Sequence, residues 1–120
     1  MARNTGSRTG DSLSTRTESD SLGPIEVPGN ALYGAQTQRA VNNFPISGQS
    51  MPQEFIRAVV LIKRCAARVN AAEGALDTEV AQAIIAACDS LLADPRPEQF
   101  PVDIYQTGSG TSSNMNVNEV

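Results

Sequence analysis

Two amphipathic runs separated by a short break constrain this chain most. Between residues 50 and 74, Phe55, Ile56, Val59, Ile62, Ala66 and Val69 recur at helical spacing and define one apolar face. Arg57, Arg64 and Arg68 fall on the opposite side, with Lys63 near its edge, a basic stripe that reads as a solvated face. Ser50 is expected to cap this helix in a capping box with Gln53, Pro52 is tolerated in its first turn, and Gly74 closes it. Asp77 caps a second helix with Glu79 in its first turn, and Asp94-Pro95 stops it. Val80, Ile84, Ala87, Cys88 and Leu91 form its stripe. So short a connection makes the two helices an antiparallel pair, and the chain mainly α-helical.

The rest is punctuated by turn signals. Residues 1–16 are mostly Ser, Thr, Arg and Gly, with Leu13 the only large apolar side chain after Met1, too little burial to offset ordering entropy. They are expected to form a disordered tail, and residues 17–120 one domain. Leu22–Val27 and Pro28–Tyr33 read as two short extended segments joined by a Pro-Gly turn. Ala35–Asn43 reads as a short helix ended by Phe44-Pro45. Phe100, Val102 and Ile104 alternate with Pro101, Asp103 and Tyr105 as a brief extended segment, which Pro101 restricts to a sheet edge.

Composition excludes several function classes. A net charge of −4 argues against nucleic acid or an anionic membrane as partner, and no apolar run approaches a membrane-spanning length. Arg3 and Arg8 precede no apolar core, so a secretory signal is not expected. Asp11, Glu18 and Asp20 interrupt what would otherwise resemble a transit peptide, and cytoplasm is the expected location. Cys65 and Cys88 lie among Ala, Val and Ile and are expected to be reduced and buried. With no His in the chain they offer no metal-ligand spacing.

Chemistry concentrates between Gln106 and Val120. Gly108 and Gly110 permit left-handed turns and close backbone approach, and Thr107, Ser109, Thr111, Ser112 and Ser113 surround them with hydroxyls. A helix then starts, with Ser112 or Ser113 expected as its N-cap. Unpaired N–H groups and partial positive charge at such a start favour a small anion. Carboxylate is preferred over phosphate, because the Gly-Lys-Ser/Thr ending of a P-loop is missing and no Lys or Arg is near in sequence. An ordinary capped helix after a flexible turn has the same composition. Arg39 is read as a structural ion pair with an acidic residue such as Glu18 or Asp20, in preference to a fork for a substrate carboxylate.

Thr107-Gly-Ser-Gly-Thr111 followed by Ser113-Asn-Met-Asn-Val-Asn-Glu119 resembles the active-site segment of class II fumarate hydratases, in the fumarase/aspartase superfamily. Glu18-x-Asp20-Ser-Leu-Gly23, Val27-Pro28 and Tyr33-Gly-Ala-Gln-Thr-Gln-Arg-Ala40 resemble the opening of the same superfamily, in the same order. Aspartases tend to carry Gly-Ala-Gly-Thr where this chain has Gly108-Ser-Gly-Thr111, so Ser109 tilts the resemblance toward fumarase. The resemblance implies a mainly α chain with short extended segments, the N-terminal domain of the L-aspartase-like fold. It implies reversible hydration of fumarate to L-malate, with substrate contacts from Ser109, Gly110 and Thr111 and with Asn114 assisting.

No catalytic acid or base is expected within this chain. In the family a later loop serine, a histidine, a lysine and an asparagine serve proton transfer, and all would lie beyond Val120. The last helical pattern also reaches Val120 without a C-cap, so the chain reads as part of a longer protein, inactive alone and lacking the central helical bundle. The complete enzyme is implied to be a homotetramer that needs no cofactor or metal. Two alternatives stay open: an aspartate ammonia-lyase or related lyase, and a non-enzymatic dicarboxylate-binding or helix-assembly module.

Overall fold

A computed structural model describes residues 14–120. Strands β1 (Thr15–Asp20) and β2 (Gly23–Pro28) form an antiparallel hairpin with Asp20 opposite Gly23 and Thr15 opposite Pro28. The hairpin therefore turns at Ser21–Leu22, and the expected pair of extended segments about Pro28-Gly29 is corrected. The cause is local: Gly23 adopts φ +109° and the Asp20 carboxylate accepts the Leu22 N–H at 2.9 Å, a turn built by side chain and glycine together. Pro28, which has no N–H for a ladder, falls at the strand's end.

The expected tail covers residues 1–16, of which 1–13 lie outside the described residues. Thr15 and Arg16 are instead the first residues of β1. The Arg16 guanidinium donates to the carbonyls of Ala31 (2.5 Å) and Tyr33 (2.9 Å), which ties the hairpin to the loop after it.

The four helices are α1 (Ala35–Asn43), α2 (Gln53–Ala72), α3 (Thr78–Ala93) and α4 (Thr111–Glu119). The short helix over 35–43 forms as the sequence predicts. In α3 the Asp77 carboxylate accepts the N–H groups of Glu79 and Val80, the expected cap. Gly74, at φ +75°, ends the α2 region while the N–H groups of Ala75 and Leu76 return to the Asn70 carbonyl. At the other end of α2 the capping box does not form. Pro52 is the N-cap residue without a side-chain bond, and Ser50 makes a β-bridge to Asp103.

Packing selects narrower faces than the periodicity implies. On α2 the buried residues are Ile56, Val60 and Ala67, whereas Phe55, Ile62 and Val69 are 40%, 68% and 58% exposed. On α3 they are Ala81 and Cys88, with Val80 and Ile84 exposed. Each apolar stripe is wider than the surface its neighbours cover: α2 and α3 pack together, and α4 touches α2 along one side. Ile56, Val60, Cys88, Phe100 and Val117 make the central cluster. Cys65, expected to be buried, is exposed, while Cys88 is buried and both thiols are free. Burial pushes the Cys88 thiol above its ordinary pKa, as suits a packing residue.

The extended segment expected at 100–105 does not become a strand. A 3-10 turn at Pro97–Gln99 precedes it, Phe100 and Val102 are buried, and only Asp103 bridges, to Ser50. Pro101 offers no N–H between them, so the path is fixed by the Ile104 N–H, which donates to the Gln49 carbonyl at 2.9 Å, and by side chains. Among the described residues no helix is long and apolar enough to cross a membrane.

Candidate functional site

The Gly-rich turn is held from behind by two buried polar anchors. Asp103 accepts the N–H groups of Ser47 (2.8 Å), Gly48 (2.9 Å) and Tyr105 (2.8 Å) and the Ser47 hydroxyl (2.9 Å). Burial pushes its carboxyl pKa up, but these donors outweigh burial and hold it below the usual carboxylate value. Asn116, almost wholly buried, donates its amide to the Gln99 carbonyl at 2.9 Å; the Gln99 side chain in turn accepts the Leu32 N–H at 2.6 Å. The chain is thus fixed on both sides of residues 104–111 to the loops before α1 and α2.

Gly108 and Gly110 both adopt left-handed backbone, at φ +90° and +77°. Gly110 is the N-cap residue of α4 and supplies no side-chain cap, so the expectation of Ser112 or Ser113 as the cap is corrected. The Gln106 carboxamide caps instead. Its oxygen accepts the Ser113 N–H at 3.0 Å, and its nitrogen donates to the Ser113 hydroxyl at 3.0 Å and the Asp103 carbonyl at 2.9 Å. Ser113 is thereby buried and spent on structure. No local rule relates a Gln before two glycines to the third residue of a helix that begins five residues on, so the sequence carries no signal for this cap.

With that end tied down, the other hydroxyls face outward. Ser109 and Thr111 are exposed, their hydroxyl oxygens 2.8 Å apart across Gly110. Among the described residues, no protein acceptor takes the Thr111 and Ser112 N–H groups. Asn114, one turn further on, is also exposed, and its own N–H donates to the Gly110 carbonyl at 3.0 Å. The structure therefore brings Ser109, Gly110, Thr111 and Asn114 onto one helix start. Outward hydroxyls, N–H groups and an amide can together offer several donors to one anion.

The fold also adds a cation that local sequence lacks. Lys63, from the middle of α2, donates its ammonium to the Asn114 amide oxygen at 2.7 Å. The expectation of no Lys or Arg near the turn holds only along the chain. Arg39, by contrast, is engaged elsewhere. It donates to both carboxylate oxygens of Asp20, at 2.8 and 2.9 Å, and to the Gly23 carbonyl at 2.8 Å. Hydrogen bonding from Arg39 holds the Asp20 carboxyl below its ordinary pKa, against a smaller opposing effect of burial. This is the structural ion pair expected for Arg39.

At the far end of α4, Glu119 caps α1. Its carboxylate accepts the N–H groups of Gln36 (3.1 Å) and Thr37 (2.7 Å) and the Thr37 hydroxyl (2.5 Å). A groove of about 430 Å³ between α2, α3 and α4 is lined by Val60, Lys63, Ala67, Cys88, Val117 and their neighbours, and contains none of residues 106–111. No group of three or more His, Cys, Asp or Glu side chains able to hold a metal occurs among the described residues.

Comparison with known proteins bears on what this arrangement is. A lyase family profile matches residues 23–120. The chain is 59% identical over 106 residues to "Fumarate hydratase class II 2" of Pseudomonas aeruginosa, covering 88% of this chain and 23% of that protein. It is 56% identical over 105 residues to the class II fumarate hydratase of Halobacterium salinarum, covering 88% of this chain and 22% of that one. It thus spans less than a quarter of the length of these curated relatives. Among solved structures, the class II fumarase of Schistosoma mansoni superposes with a TM-score of 0.84 at 40% identity, over 88% of this chain and 22% of that chain. A fumarate lyase:delta crystallin from Brucella melitensis gives 0.83 at 44% identity, over 89% and 25%. The resemblance carried by the Gly-rich turn thus extends over nearly every described element, and the chain belongs to the lyase family.

Proposed function

We propose that this chain is the N-terminal part of a fumarate hydratase that adds water reversibly across the double bond of fumarate to give L-malate. In this reading residues 17–120 belong to one lyase domain, and Ser109, Gly110 and Thr111, assisted by Asn114, contact a substrate carboxylate. The observation that carries it is the start of α4, where two hydroxyls 2.8 Å apart flank a left-handed glycine beside unpaired N–H groups. The high identity to proteins named class II fumarate hydratases supports the same reading.

The chemistry explains why such a group of donors is useful. In the dehydration direction a base removes a proton from the carbon next to a carboxylate, and negative charge spreads onto that carboxylate. Donors fixed around it stabilise the charge-rich intermediate better than mobile water does, because they need not reorganise. Hydroxyls and N–H groups suit this role, since they hold a carboxylate without neutralising it. The chain contains no His, and its outward turn residues do not titrate near neutral pH, so the proton-transfer groups come from elsewhere in the longer protein. The reading carries with it a homotetramer, cytoplasmic location, a place in the tricarboxylic acid cycle and inactivity of the 120-residue chain alone. Burial of the exposed stripe of Phe55, Ile62 and Val69 is a use that a larger assembly has for it.

The test is to supply the enzyme containing this segment with L-malate and, separately, L-aspartate, and to follow the ultraviolet absorbance of fumarate. Production from malate alone, lost in the Ser109→Ala/Thr111→Ala variant, is the expected result. Production from aspartate would replace the hydratase with an ammonia-lyase. Activity that survives the double substitution would remove these hydroxyls from the site.

A further inference from the structure

We infer that Lys63 is a positioning residue for the carboxylate site, one that fixes which end of the Asn114 amide meets the substrate. The inference rests on the hydratase reading above and adds a residue to it. The Lys63 ammonium lies 2.7 Å from the Asn114 side chain, across 51 residues of sequence. An ammonium has three donors and no acceptor, so the atom it meets is the amide oxygen. The Nδ2 group is thereby turned away from Lys63, and among the described residues no protein acceptor takes it.

That orientation matters for an anion. An unrestrained amide can rotate to present either its oxygen, which repels a carboxylate, or its two N–H donors, which bind one. Lys63 removes the first choice. Asn114 stands one turn beyond Gly110, so the group so oriented belongs to the same helix start as Thr111 and the unpaired N–H groups. Lys63 also lines the apolar groove beside Val60 and Val117, and its ammonium makes the exposed contact with Asn114. A second consequence is electrostatic: the ammonium polarises the amide it holds, and strengthens its N–H donors.

The experiment measures malate dehydration by the enzyme containing this segment, as single and double variants. Lys63→Met is expected to raise KM about tenfold, as loss of one hydrogen bond to a charged group does, with kcat nearly unchanged. Asn114→Ala should raise KM comparably, and Lys63→Met/Asn114→Ala no further, because Lys63 acts through Asn114. Lys63→Arg, also a pure donor, should restore most of the affinity, whereas Lys63→Gln, whose amide presents either end, should not. An unchanged KM in Lys63→Met, losses that multiply in the double variant, or a fall in kcat without a rise in KM would each overturn the inference. Absence of malate conversion in the unsubstituted enzyme would overturn the hydratase reading, and this inference with it. Activity with Lys63→Met indistinguishable from wild type would overturn the Lys63 role alone.

Discussion

Gly34→Ala should destabilise the chain through one side chain, Glu119, and the sign of the effect should reverse when that side chain is removed. A Cβ on Gly34 would lie 2.7 Å from the Glu119 Oε2 and 3.4 Å from its Cδ. Gly34 itself has φ −116° and ψ −150°, extended backbone that Ala adopts without strain. Replacing Gly by Ala at a compatible position stabilises by about 0.4–1 kcal/mol, by narrowing the unfolded ensemble. Opposing this, Oε2 must move, which breaks its bond from the Gln36 N–H and disturbs the two that Thr37 donates to Oε1. A hydrogen bond to a charged group contributes about 1.5–3 kcal/mol, so losing one outweighs the entropic gain and leaves a net loss of about 1 kcal/mol.

Glu119→Ala removes all three bonds and the negative charge at the start of α1, for an expected loss of about 2–3 kcal/mol once water re-solvates the helix end. In that background nothing opposes the new methyl group. Gly34→Ala should then stabilise by about 0.5 kcal/mol. Urea unfolding followed by circular dichroism, with a common slope for all four proteins, measures each change. A Gly34→Ala chain more stable than wild type, or one still destabilised when Glu119 is Ala, would refute the close approach of Gly34 and Glu119 as the bond between α1 and α4.

Three further outcomes follow from the same structure. Asp103 has a folded-state pKa held below its ordinary value, so its contribution is complete above the unfolded-state value and is lost as pH falls through the folded one. Acid unfolding of Asp103→Asn should accordingly start from lower stability and show a shallower decline below the ordinary carboxylate range. Phe100→Ala, at a core position only 3% exposed, should cost about 3–5 kcal/mol in chemical denaturation. Ile62→Ala, at 68% exposure, should stay within about 0.5 kcal/mol, and the reverse order would restore the apolar face that periodicity implies. Gly110→Ala places a methyl group where no atom lies within 4 Å, so its cost of about 1–2 kcal/mol comes from the left-handed backbone alone. In the enzyme it should raise KM for malate, as the Ser109 and Thr111 hydroxyls separate.

What the sequence made legible is what short-range chemistry decides. Asp77 capped α3 because the bonds it makes reach only Glu79 and Val80, and Pro95 stopped it through its own ring. Gly108 and Gly110 marked the turn because left-handed backbone is a property of single residues. Arg39 read correctly because an acidic partner lay in the neighbouring hairpin, within reach of one side chain. The faces of α2 were not legible in the same way. A stripe containing both Ile56 and Ile62 meets the helical period, and which half is covered depends on where α3 and α4 settle.

The candidate site divides along the same line, and the division explains how it is built. The groups that would touch a carboxylate, Ser109, Gly110, Thr111 and Asn114, are close in sequence, so their spacing could be read directly. The groups that hold them are not. Gln106 caps α4 in place of Ser112 or Ser113, Asp103 is anchored by Ser47 and Gly48, and Glu119 ties the other end of the helix to Thr37. Lys63 reaches Asn114 from another helix altogether. A nine-residue helix is too short to persist by its own propensity, and the two left-handed glycines before it make the turn easier to form but also easier to lose. Its geometry must therefore come from these distant bonds. Substitution of Gln106, Asp103 or Glu119 should loosen the donors without removing one of them, a loss that reads as weakened substrate orientation rather than a missing contact.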